Sequence, residues 1–375
     1  MKYFNIAFGA LALLFGIGIL QAETDSAEPV EKPCDTAVHI SGQWFFAYRA
    51  YIPDRGDHAF GLKRGYLTVK KNLNEVFSVR YTQDIAIDRE GEDAGNVELR
   101  FKYCYLKANL PQFFIFSKPS IALGLVHQPW IEYEQKINTY RVQGEMFLNK
   151  FGVASSADFG ITLDALLGGE LDKETQKKVD SAMPGKYGSI SLGMYNGGGY
   201  SALEMNNNKT IEGRLTLRPF PERIPGLQFS YAFADGKGND TLNTPFIMHL
   251  FYVSHETAFT TVSAQLYTGQ GLHSGWYFGP PNEGFSFFAE LALPCIPLTV
   301  FGRYDDFTNK MVIATPVYQY IETQIQTRAA IGGIAWNFYK KNRLIVDIEK
   351  QWISEWFHAG ISELTVAEIA LEIIF

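Results

Sequence analysis

Basic side chains recur in step along several short stretches of the chain: Arg64 and Lys70, Arg80, Arg100 and Lys102, Arg214 and Arg218, with Arg49 and Arg303 in stretches of their own. Carboxylates join the same faces at Asp84, Glu98, Glu212 and Asp305. Spacing by two residues puts such groups on one side of an extended chain. A row of guanidinium and ammonium groups on a wetted wall attracts anions and hands them along, because several moderate sites conduct better than one tight site. The last stretches carry the opposite sign, with Asp347, Glu349, Glu368 and Glu372. Basic on one arc and acidic on another, the wall would set up a transverse field; the plainer alternative is that charges on neighbouring strands neutralise one another.

Catalytic arrangements do not emerge. Ser254 and His255 are adjacent and therefore point to opposite faces of a strand, so they cannot act as nucleophile and base. His39, His127 and His249 fall on separate stretches with no metal-ligand spacing. Gly269-Gln-Gly271 with Gly275 misses the dinucleotide fingerprint and no helix follows. The expectation is no enzyme, no metal and no cofactor. Cys34, Cys104 and Cys295 are odd in number and scattered, which disfavours a disulfide framework. A formal net charge of −7 argues against a nucleic-acid partner.

The elements that must hold these groups alternate with period two. Candidate strands run over 38–51, 60–71, 75–86, 96–108, 119–128, 157–167, 186–196, 210–218, 226–235, 246–255, 258–268, 284–293, 297–306, 323–339, 342–352 and 364–375. Opposite the charged faces lie apolar ones: Leu67 and Val69; Phe77, Val79 and Tyr81; Leu99, Phe101, Tyr103 and Tyr105; Phe229, Tyr231 and Phe233; Leu344, Val346 and Ile348. Aromatic residues at 15%, 34 glycines and only 19% charged residues suit many strands joined by tight turns.

The pattern predicts an all-β transmembrane antiparallel barrel of about sixteen strands over 38–375, apolar side to lipid and polar side to a water-filled lumen. Its closing strand, Thr365 to Phe375, ends on an aromatic residue that reads as an assembly signal for barrel-assembly machinery. Residues 1–22 have the basic start, apolar run and small residue at Ala22 of a secretory signal, and 23–37 read as a flexible linker. Such a chain would be exported to the outer membrane of a Gram-negative-type bacterium, with outer-membrane lipid as a partner.

Connections alternate between tight ones, such as Asn72 to Asn74 and Lys340-Lys341, and long ones at 129–156, 197–209, 269–283 and 307–322. Residues 168–185 break the rule, since they fall at a turn but look like a short polar helix. The 129–156 segment is the informative loop. Ala122 and Gly124 offer small groups inward just before it, leaving room for a folded segment in the lumen. Glu132, Glu134, Lys136, Arg141, Glu145 and Lys150 would then mark a constriction, with Trp130 anchoring at the interface.

A series of segments also resembles the phosphate-selective porin O and P family. Arg64-Gly-Tyr-Leu-Thr-Val-Lys-Lys71, Phe77 to Ile85, His127-Gln-Pro-Trp-Ile-Glu-Tyr-Glu134, Tyr140 to Phe147, Ser156-Ala-Asp-Phe-Gly160, Tyr195-Asn-Gly-Gly-Gly-Tyr200 and Arg214-Leu-Thr-Leu-Arg-Pro219 occur in order. The resemblance implies a sixteen-stranded porin, commonly a homotrimer, with loop three folded into the lumen. It further implies an arginine ladder drawing small anions, here at Arg64, Arg80, Arg100, Arg141 and Arg214. One departure is plain: loop three is as acidic as it is basic and has no dense lysine cluster. The competing expectation is a non-conducting structural or adhesive barrel, displaying Gly- and Asn-rich loops.

Overall fold

The computed structural model describes residues 35–375 except 53–57, 89–91, 93, 180–182, 276–278, 315–319 and 356–359. The signal segment, most of the linker and Cys34 lie outside the described residues. Sixteen strands follow in order: β1 (Val38–Ile52), β2 (Ala59–Asn72), β3 (Phe77–Ile87), β4 (Val97–Asn109), β5 (Phe116–His127), β6 (Ala157–Leu167), β7 (Gly188–Tyr195), β8 (Thr210–Leu217), β9 (Leu227–Lys237), β10 (Pro245–Glu256), β11 (Thr260–Gln270), β12 (Pro281–Ala292), β13 (Leu298–Ala314), β14 (Tyr320–Tyr339), β15 (Asn342–Glu355) and β16 (Gly360–Ile374). Each pairs antiparallel with its sequence neighbours, and β1 closes on β16 from Gln43 opposite Ile374 to Ile52 opposite Thr365. Closure leaves no unpaired edge, which is what lets strands cross hydrocarbon.

The expected strands all form, with their ends shifted by a few residues. The main difference lies at 307–322, expected as a long loop. There β13 and β14 stay paired up to Ala314 opposite Tyr320. Thr308, Asn309 and Lys310 are polar at successive positions and so on both faces, and no alternation marks them as strand. Among the described residues three short helices interrupt the connections: α1 (Ile131–Ile137) and α2 (Phe147–Lys150) in loop three, 129–156, and α3 (Lys173–Val179) in the anomalous turn. At α3, Asp172 caps the start by accepting from the Glu174 and Thr175 amides at 3.0 and 2.9 Å.

Phe77, Leu99, Phe101, Phe229, Val346 and Ile348 are exposed on the outside of the barrel. Two bulges reset the alternation. In β2, Arg64 pairs with Phe45 and Leu62 with Phe46, so Lys63 is the extra residue. In β4, Tyr103 pairs with Thr82 and Phe101 with Gln83, so Lys102 is the extra residue. A bulge changes which parity faces in. Tyr103 and Tyr105, expected on the lipid face, therefore point into the lumen: the Arg80 guanidinium stacks 4.1 Å over the Tyr103 ring, and Tyr105 meets His127.

Strand β10 departs from simple alternation in another way. Ile247 and Phe251 face out, yet Phe246, Met248, Leu250 and Tyr252 face in and are buried. Loop three covers them. Trp130, Ile131, Tyr133, Phe147 and Leu148 pack with these residues and with Ala232, Ala234 and Tyr267 into one apolar cluster inside the barrel. Trp130, expected at the membrane interface, is thus an interior residue. Pro129 turns the chain inward, and the Trp130 ring lies 5.1 Å from Tyr252 and 5.8 Å from Tyr133.

Candidate solute pathway

Loop three crosses the lumen with α1 leading and is fastened on several sides. Burying a large apolar side chain contributes about 1.5–3 kcal/mol, against about 0–1 for an exposed ion pair, so the apolar cluster is the main fastening. Polar contacts then set the register. Arg214 on β8 donates to the Pro129 carbonyl at 3.0 Å, to Ser189 Oγ at 3.0 Å and to Thr216 Oγ1 at 2.6 Å, while its guanidinium stacks 4.1 Å over the Tyr133 ring. Gln265 on β11 donates to Glu134 at 2.7 Å, and Arg303 on β13 donates to the Glu145 carbonyl at 2.7 Å. Lys63 donates to the Gln143 carbonyl at 3.0 Å.

Each basic position of the expected ladder faces inward or ends at the barrel's rim, but their surroundings divide them. Arg214 is 2% exposed and sealed beneath loop three. Arg303 is buried against Asp305, at 2.6 Å, as well as Glu145. Arg218 lies past the end of β8, buried, donating to the Pro225 carbonyl at 2.6 Å and to that of Gly185. These three hold backbone and loop together. Arg49, Arg64, Lys70, Arg80 and Arg100 keep part of their surface open to the lumen. Lys102 is buried with its ammonium 4.2 Å over the Tyr66 ring.

Glu368, Glu349 and Glu372 of the acidic arc are matched by cations. Glu368 takes Arg49 at 2.7 Å and Lys63 at 2.5 Å; Glu349 takes Lys150 at 2.5 Å; Glu372 takes Arg343. The expected transverse field is therefore cancelled at these pairs by short-range neutralisation. On the other side Arg80 meets Glu132 at 3.3 Å, and Arg141 meets Glu145 at 3.3 Å.

Within loop three two carboxylates of one short helix have opposite fates. Glu134 points into the wall, and burial pushes its carboxyl up to about 7 despite the Gln265 hydrogen bond. Glu132 is only half-buried, and Lys136, His127 and Arg80 outweigh the desolvation cost and hold it well below the usual carboxylate range. Only Glu132 faces the open space.

That space is a cavity of about 600 Å³ between α1 and the β1–β4 wall, reaching the turn Lys340-Lys341. Its cationic lining is Arg80, Lys102, Lys136 and Arg141 on one side and Lys340, Lys341 and Arg343 on the other. Glu132 and Glu372 are the carboxylates that line it. Arg343, Lys340, Lys341 and Lys63 were not among the expected site residues. Arg343 shares the parity of Asp347 and Glu349, so alternation alone places it; Lys63 needs the bulge. The small groups Ala122 and Gly124 do leave room, but Tyr195 and Tyr105 fill it, with Tyr195 Oη bonding Thr162 Oγ1 at 2.8 Å.

No family model matches this chain, and no curated protein does. Solved structures match its fold. It is similar to an anion-selective porin from Comamonas acidovorans, at 12% identity over 91% of this chain and 100% of that one, with a TM-score of 0.57. OmpF of Salmonella typhi in complex with daunomycin matches at 10% identity over 90% and 98%, TM-score 0.57. OmpT, an outer membrane protein of Vibrio cholerae in its trimer form, matches at 9% identity over 90% and 99%, TM-score 0.52. The fold is therefore that of a closed sixteen-stranded outer-membrane barrel.

Proposed function

We propose that this protein is an outer-membrane porin that passes small hydrophilic solutes by diffusion and favours anions, phosphate among them. The observation that carries the reading is the cavity lining, where seven cationic side chains stand against two carboxylates. In a confined space bounded by protein, such an excess raises the local concentration of anions. The likeness to an anion-selective porin and the family resemblance of the Arg64, Arg80, Arg100 and Arg141 segments support it. In this reading residues 1–22 direct export, 23–37 link, Phe375 serves assembly, and the barrel works as a homotrimer in outer-membrane lipid.

Planar-bilayer recording in a KCl gradient tests the reading. Wild-type channels are expected to prefer chloride, and Arg80→Ala to lower that preference about threefold, since one charge about 7 Å away in water is worth about one RT. Channels that prefer potassium would overturn the anion bias and leave the pore standing. A folded barrel that forms no channel would favour the structural or adhesive reading.

A further inference from the structure

Loop four, 196–209, also folds across the lumen, and its aromatic residue ends on the predicted ladder. The loop is tied down near its own strands: the Gly197 amide donates to Asp158 at 2.6 Å, the Met205 amide to Asn239 at 2.8 Å, and Asn206 Nδ2 to the Gly238 carbonyl at 2.8 Å. From that base Tyr200 reaches β2 and β3. Its hydroxyl donates to Asp84 Oδ2 at 2.9 Å and accepts from Arg64 Nη1 at 3.3 Å. The same carboxylate oxygen takes Arg64 and Arg100, each at 3.3 Å.

The exposures in this cluster are unequal in a way that matters for passing ions. The side chains of Arg64 and Arg100 are 22% and 25% exposed, whereas Asp84 is 0% exposed. Two guanidiniums therefore face the lumen and the carboxylate between them does not. Asp84 lies four residues beyond Arg80 along β3, on the side of the long loops, so this cluster precedes the basic cavity for a solute entering from that end.

We propose that Tyr200 is a selectivity-determining residue: by occupying Asp84 it masks the carboxylate that Arg64 and Arg100 share, so that entering anions meet these two guanidiniums and not Asp84, while Glu98, 3.6 Å from Arg100 and 42% exposed, stays open in the parent and the variants alike. This rests on the porin reading but not on the sign of the wild-type preference. Removing the mask adds an exposed negative charge, and the shift toward cations follows whichever ion the parent channel favours.

Reversal potentials in a KCl gradient for Tyr200→Ala, Tyr200→Phe and the double variant Tyr200→Ala with Asp84→Asn form the test, each first checked for a folded barrel by heat-modifiable migration. Tyr200→Ala is expected to shift the chloride-to-potassium permeability ratio toward potassium about threefold, by the same one-charge reasoning. The double variant is expected to return to the wild-type ratio or exceed it. Tyr200→Phe, which keeps the ring over the cluster but loses the hydroxyl, should fall between wild type and Tyr200→Ala. An unchanged ratio in Tyr200→Ala, or a double variant as cation-shifted as the single one, would overturn the proposal. If Tyr200 only anchored the loop, conductance would rise in both variants without the rescue, which also counts against it. A wild type that prefers potassium sinks the anion reading alone.

Discussion

Two arcs of the lumen wall treat loop three in opposite ways. On β9–β11 the inward residues include Ala232, Ala234, Met248, Leu250, Tyr252 and Tyr267, and Trp130, Ile131 and Tyr133 pack over them in one buried cluster. On β1–β4 the inward residues include Tyr66, Arg80, Lys102 and Tyr103, and the loop stands off to leave the cavity. Both arcs are inward faces of the same barrel. An apolar inner wall recruits a covering segment because exposed hydrocarbon in a wet lumen is unfavourable; a charged one keeps its water. One arc therefore fixes the loop, and the other keeps an open, charged cavity.

The strongest way to break this contrast is Trp130→Ala, which removes the centre of the sealed arc. A loss of about 3–5 kcal/mol is expected from the transfer and cavity terms, read from the unfolding midpoint of the refolded barrel in detergent, together with a larger single-channel conductance as loop three loosens. An unchanged midpoint would mean the loop is not held by this cluster. Next comes the outside of the open arc: Phe101→Lys should cost on the order of 2–4 kcal/mol if Phe101 faces hydrocarbon near the midplane, measured by unfolding in lipid vesicles. A neutral effect there would say that this side is wetted or covered by protein.

A smaller effect sharpens the comparison within α1. Glu134, buried against the sealed arc, has its carboxyl raised to about 7 from 4.5, so the folded state favours the protonated form. Its stabilising contribution is complete below about pH 4.5 and is lost as pH rises through about 7. The melting temperature should accordingly decline over that window more steeply in wild type than in Glu134→Gln. Parallel pH profiles for the two proteins would show that Glu134 is not sealed.

The extent to which the site could be read from the chain follows the same division. Period-two alternation is local, so it located the strands and the inward parity of Arg49, Arg64, Arg80 and Arg100 from residue types alone. It could not separate Arg80, open to the cavity, from Arg214, sealed under Tyr133, because both sit at inward positions of ordinary strands. The separation comes from what loop three covers. It also failed at Tyr103 and Tyr105, where one extra residue at Lys102 reverses the parity above it.

By itself, then, the sequence determined the strands and the presence of a charged interior, since these depend on side chains two residues apart, while the expectation of a closed barrel rested on the even strand count, the export signal and the terminal Phe375. Only the tertiary structure decided which charges stay available. The bulges at Lys63 and Lys102, the apolar seat of loop three on β10 and the reach of Tyr200 to Asp84 join residues far apart in the chain. The availability of a charge depends on what lies over it, and no local pattern records that.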